Sequence, residues 1–356
     1  AVEGVDYEAP SGVVVIPAGE TSAMIPVKPI MNAARAEDVT LQVSLNAGLY
    51  DESADPVTVT IHDFTIPSDS CVWMGDSGVD NNASTAANWY QSKLPTKDDK
   101  ILLAVFSPSN IVWDAGVNGL PDTVASWEQT VDYTGTVTFK TVYPVDGTED
   151  AFTNFTVTGN CLVNGGKWTS LANGDGEVYR INATVGGNLT VGERGTISVQ
   201  GKGYAPGKFP AGSAIGAHAA TYSGNFSHIY GDVYAPTRIG SGGHGNAASC
   251  GGGAIRLTVA GAAVIDGTLD AQSSTQTSAS KPNPEKGVGA GGSIFVTASS
   301  ISGNGTVIAS AYESNGTSYS SEAGSGGRIA LVATVGAVTI PNGNLKCSGS
   351  FGGNGV

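Results

Sequence analysis

Charge is what this sequence has least of. Asp, Glu, Lys and Arg make up 13% of its 356 residues, about half the usual quarter of a soluble domain. Seventeen are basic against 31 acidic, a net charge of −14. A surface of that sign repels a phosphate backbone, so nucleic acid and anionic membranes are set aside as partners. No stretch approaches the roughly 18 consecutive apolar residues of a membrane span, so no such span is expected. The four cysteines, Cys71, Cys161, Cys250 and Cys347, form no CxxC pair and carry no zinc or redox signature; three disulfide pairings stay open. GxSxG, HExxH and P-loop patterns are all missing.

What is present is glycine, 51 residues of it. Interior glycine costs a helix about 1 kcal/mol relative to alanine, which excludes a mainly helical fold. Apolar residues still reach 40%, enough to build a core, so full disorder is excluded too. The expected class is all-β.

Residues 1–66 are the least glycine-rich part. Period-2 alternation predicts strands at Val13–Ile16, Ala23–Val27, Val39–Leu45 and Val57–Ile61, separated by turn residues such as Pro17-Ala18-Gly19. The segments GVDYEAPSGVVVIPAGETSAMIPV, EDVTLQVSLNAGLYD and PVTVTIHD resemble, in order and spacing, the C-terminal part of a Calx-β domain. The resemblance implies a partial β-sandwich whose first strands would precede Ala1. Calcium-binding members of that family use an acidic loop, which reads MNAARAED here and offers only Glu37 and Asp38; a solvated loop is the simpler reading.

Residues 67–177 open on CVWMGDSGVDNNASTAANWYQSKLPTKDDKILL. Its Trp73, Asn88-Trp89, Pro95 and Asp99 resemble the start of bacterial surface β-helix proteins. The two tryptophans are expected to close the open end of a stack.

Residues 178–356 repeat. GGGAIRLTVAGAAVIDGTLDAQ, AGGSIFVTASSISGNGTVIASA and GSGGRIALVATVGAVTIPNGNLKCSG align, and their second-strand glycines, Gly267, Gly305 and Gly343, recur every 38 residues. Such a period predicts a solenoid, here a right-handed parallel β-helix. Ile255, Leu257 and Val259 share a phase with Ile294, Val296 and Ala298, and with Ile329, Leu331 and Ala333; these should stack as internal ladders. The paired glycines before each Ile suit corners with positive φ or close approach of neighbouring turns. Cys161 and Cys347 fall on inward positions, as inert thiols. This half resembles glycine-rich modules of autotransporter and adhesin-like proteins, which implies an extracellular or cell-surface location.

An insertion at 201–250 holds three of the four histidines, His218, His228 and His244, with Tyr222, Tyr230, Tyr234, Asp232 and Arg238. Their spacing matches no metal motif, and a loop packed on the flank is the simplest reading. Asn173-Asp175-Glu177 and Asp76–Asn82 have partial calcium-loop spacing. Asp266 and Asp270 could pair carboxylates across a turn, and the seven Asn-x-Ser/Thr sequons are what such a composition yields by chance. No catalytic, cofactor or metal residue is assigned, with calcium the one ion kept open.

The start, AVEGVDYEAP, and the Gly-rich end both read as cuts in a longer polypeptide. The expected function is an extracellular structural or adhesive protein, a repeat segment or self-associating fibre subunit. Its partners would be copies of itself, neighbouring domains, or glycans. The alternative is a carbohydrate-active β-helix, a lyase or hydrolase, or a glycan-binding module.

Overall fold

The computed structural model describes residues 1–10, 12–30, 38–44, 56–61, 69–105, 107–140, 154–215, 217–219, 228–243, 249–274, 287–312 and 324–350. Among them the regular structure is β-strand with short 3-10 turns and no α-helix. The chain divides into two compact units, Ala1–Ser68 and Asp69–Val356.

In the first unit, β1 (Val39–Val43) and β2 (Val57–Ile61) pair antiparallel, Val39 opposite Ile61. The strands expected at Val13–Ile16 and Ala23–Val27 do not form. Alternation alone does not make a strand, and Val13, Val15 and Met24 are more than two-thirds exposed. The expected Leu45 lies outside the described residues.

The second unit carries three parallel sheets. The first contains β3 (Ser70–Val72), β4 (Lys100–Leu103), β7 (Ser126–Gln129), β10 (Cys161–Val163), β13 (Leu189–Val191), β16 (Ala262–Ile265) and β19 (Ser300–Ser302). The second contains β5 (Ile111–Trp113), β8 (Thr136–Phe139), β11 (Lys167–Ser170), β14 (Thr196–Ser198), β17 (Thr268–Asp270), β20 (Thr306–Ile308) and β22 (Leu345–Lys346). The third contains β6 (Thr123–Val124), β9 (Phe155–Val157), β12 (Ile181–Val185), β15 (Ala254–Val259), β18 (Ser293–Ala298) and β21 (Arg328–Ala333). From β4 to β21 the chain visits the sheets in strict rotation, and each strand pairs with the strand three further on. This pairing runs unbroken past residue 178, where β12 joins β9 to β15.

The register puts equivalent residues in rows. Ile181, Ile255, Ile294 and Ile329 are aligned, as are Ala183, Leu257, Val296 and Leu331. In the second sheet Trp168, Ile197, Leu269, Val307 and Leu345 form another inward row. These rows merge into one apolar cluster. On the outer face of the third sheet Thr123, Thr156, Thr184, Thr258 and Thr297 are aligned in the same way, a use of β-branched residues that satisfies strand propensity while keeping that face polar.

All five tryptophans lie in the core, and each indole N–H has an acceptor. Trp73 follows β3 and meets Trp89 edge-on at 5.1 Å, and Trp89 meets Trp113 of β5 at 6.2 Å. Because β3 and β5 are terminal strands of their sheets, the pair lies where apolar cover is needed. Gln129 is fully buried: its Oε1 accepts from Trp127 and Trp168, and its amide donates to Gly165 O at 2.7 Å. A buried amide satisfied this completely avoids the penalty of unpaired polar atoms.

Asparagines link successive turns. Asn160 Oδ1 accepts from Asn188 N, and Asn188 Oδ1 from Ala262 N, both at 2.9 Å. Asn154 donates to both Thr156 and Thr184. Several sequons therefore coincide with structural asparagine and threonine rows.

The paired glycines are explained by close approach, not by positive φ. None of Gly252, Gly291 and Gly327 has positive φ, but a Cβ there would come within 2.0 Å of Ala271 O, Ala309 O and Gly292 O respectively. Gly195, Gly267 and Gly305 stack likewise: a Cβ on Gly305 would lie 2.1 Å from Gly267 O, and one on Gly267 2.2 Å from Gly195 O. Gly343, which shares their sequence phase, has nothing within 4 Å. Gly305→Ala is therefore expected to cost about 1–3 kcal/mol or more in chemical unfolding, and Gly343→Ala to stay within about 1 kcal/mol of the parent; equal losses would contradict the close-approach explanation.

Candidate functional site

The insertion, richest in functional groups, meets the third sheet along the residues that precede its strands. Because Ile255, Ile294 and Ile329 point inward, the preceding Ala254, Ser293 and Arg328, aligned in register, point outward, and Arg180 precedes Ile181 in the same way. Arg180, Ser293 and Arg328 hold the insertion by donating to its backbone. Arg180 Nη1 donates to Thr237 O at 2.9 Å, Ser293 Oγ to Arg238 O at 2.6 Å, and Arg328 to Tyr230 O and to His218 O. Arg180 and Arg328 are at most 2% exposed.

His218 is fully buried. Its Nδ1 donates to Gly291 O at 2.8 Å and its ring stacks at 5.0 Å on Tyr230, whose hydroxyl donates to Ile239 O at 2.6 Å. Burial first, and then the Arg328 charge, push His218 down to about 3, so the ring is neutral. Burial pushes the Tyr230 hydroxyl up. Ser293 Oγ lies 3.5 Å from His218 Nε2, a serine–histidine contact, but its proton goes to Arg238 O and both side chains are sealed from solvent. No substrate reaches that pair.

Burial pushes the Glu177 carboxyl up against the pull of Arg238 and Arg180. Its oxygens accept from Arg238 Nε at 2.5 Å and from Ile239 N at 3.2 Å. Burial works against the Arg238 charge, but Glu177 outweighs it and the guanidinium rises above its ordinary value. His218, Tyr230 and Arg238 are thus brought together, as a clasp between insertion and sheet. His228 accepts Ser213 Oγ at its carbonyl, Asp232 caps the turn at Tyr234 and Ala235, and the Tyr234 side chain is exposed. Tyr222 and His244 lie outside the described residues.

The calcium-like loops are engaged by protein donors. Asn173 Oδ1 accepts from Val178 N and Tyr179 N, Asp175 pairs with Lys208 at 3.0 Å, and Glu177 is held as above. Asp80 accepts from Asn82 N, Thr85 and Asn88, which hold its carboxyl below the usual range. Asp266 accepts from Asn304 N, while Asp270 accepts from Ser198 and Gln272 N, so the two carboxylates serve different contacts. Among the described residues no group of three or more His, Cys, Asp or Glu side chains could hold a metal ion; Glu37 lies outside them. The four cysteines are free. Cys161 is fully buried and Cys347 half-buried. Burial pushes the Cys71 thiol up to about 12 and raises Cys161 further, leaving both inert.

Sequence reading missed Arg180, Ser293 and Arg328. The available signal was the phase of the residue between the glycines and the first inward Ile, which reads Ala, Ser or Arg in the three repeats. It also missed an open groove of about 480 Å³ where the turn before β8 meets Lys167 and Arg194.

Comparison with protein-family models, curated proteins and solved structures finds no match to this chain. Among the described residues no helix is long and apolar enough to cross a membrane.

A histidine depressed in the folded state stabilises the fold above its unfolded pKa of about 6.5, and this contribution is lost as pH falls toward 3. His218→Gln should therefore flatten the fall in stability between about pH 6.5 and 3 relative to the parent; identical pH profiles would contradict the buried neutral state.

Proposed function

We propose that this is an extracellular structural or adhesive protein, built as a right-handed parallel β-helix preceded by a Calx-β-like partial sandwich. The observation that carries the reading is the regular pairing of each strand with the strand three further on, in three parallel sheets around one apolar core. Rotation among three sheets at constant register is what a wound chain would give, and the strong preference of parallel crossovers for the right hand favours that sense. The Calx-β part rests on the quoted sequence segments and on the antiparallel pairing of β1 with β2.

Several features favour a scaffold. Low charge, a threonine row on the outer face of the third sheet and the buried Cys71 and Cys161 thiols suit a long-lived surface structure. His218, Tyr230 and Arg238 of the insertion are engaged in attaching it, which weakens the support for the lyase or hydrolase alternative.

In the organism that makes it, brief protease treatment of intact cells should remove most of the protein detected by antibody, with a cytoplasmic marker untouched. Full protection in intact cells and cleavage only after lysis would contradict the surface assignment.

A further inference from the structure

We propose that the groove at the corner between the first and second sheets binds an acidic saccharide, with Lys167 and Arg194 holding its anionic group. The groove, of about 480 Å³, draws on three successive turns of chain. Asp132 and Thr134 come from the link between β7 and β8, Thr136 opens β8, Lys167 opens β11, and Arg194 lies in the turn before β14. Lys167 is in register with Thr136 on one side and Thr196 on the other, so Arg194, two residues before Thr196, belongs to the next turn of chain beside Lys167. Both are exposed, and among the described residues neither forms an ion pair. Lys202 lies near enough that burial and the Lys167 charge together hold it below its ordinary value.

The remaining lining decides the ligand class. Threonine hydroxyls and the Asp132 carboxylate match sugar hydroxyls, which both donate and accept. A dense polyphosphate offers no hydroxyl donors to the Asp132 carboxylate, which would repel it. A sugar acid sets its charge among several hydroxyls, which suits two cations placed beside one carboxylate and two threonines. The buried Tyr133, whose hydroxyl is committed to Ser109 O at 2.8 Å, backs the groove as a fixed wall.

The inference gives the adhesive reading a ligand class but rests on the groove alone, so its failure would leave the surface-protease result untouched. The test is affinity electrophoresis of the full chain in gels containing polygalacturonate, heparin or neutral dextran. At least one acidic polymer should retard the protein and dextran should not, with the carboxylated and sulfated polymers separating the two anion types. The K167Q/R194Q double variant should bind at least tenfold more weakly with an unchanged melting temperature. Absence of retardation by both acidic polymers, equal retardation by dextran, or undiminished binding by the variant would overturn the proposal.

Discussion

Successive passes of the backbone come so close at the corners that there is no room for a methyl group, and the rest of the second unit follows from that. Gly195, Gly267 and Gly305 each face the carbonyl of the preceding turn at a distance no Cβ tolerates. Once the corners are locked, the strands between them fall into register at the usual spacing of about 4.8 Å. Inward residues then have no choice but to stack on their equivalents. That single constraint accounts for the isoleucine and leucine rows, the asparagine links and the aligned threonines. It also explains why so few charges suffice: most backbone polar groups of the three sheets are satisfied by the neighbouring strands.

Much of this was legible in the sequence because its causes are local and repeated. Period-2 alternation and the 38-residue recurrence placed Ile255, Ile294 and Ile329 in one row, and the structure pairs them directly. The glycines were legible as corners, although sequence left positive φ and close approach equally open. The segments Val13–Ile16 and Ala23–Val27 have the same alternation without becoming strands, because pairing depends on a neighbour that alternation does not specify. Gly343 shows the opposite limit: the right phase, with open space around it.

The candidate site was the least legible part. A dense group of histidine, tyrosine and arginine drew attention to the insertion, yet His218, Tyr230 and Arg238 serve as anchors. What holds them are contacts between residues as far apart as 110 positions, Arg328 to the His218 carbonyl, and no local pattern encodes such a pair. Lys167, at the start of β11, and Arg194, in the turn before β14, by contrast stand beside ordinary glycines. Only the stacking of three turns brings them to one groove. Here functional groups concentrated in sequence are structural, while those dispersed in sequence are accessible.

Residues on either side of the insertion are register neighbours, with Thr190 opposite Val264 although 74 positions separate them. Disulfide cross-linking tests it most directly, because a bridge requires Cα atoms within about 7 Å and converging side chains. Under mild oxidation the pair Thr190→Cys and Val264→Cys should link in high yield in the folded protein. The pair Thr190→Cys and Ala263→Cys, one residue out of register and facing the core, should not. Equal linkage of both pairs, or of neither, would contradict the stacked arrangement.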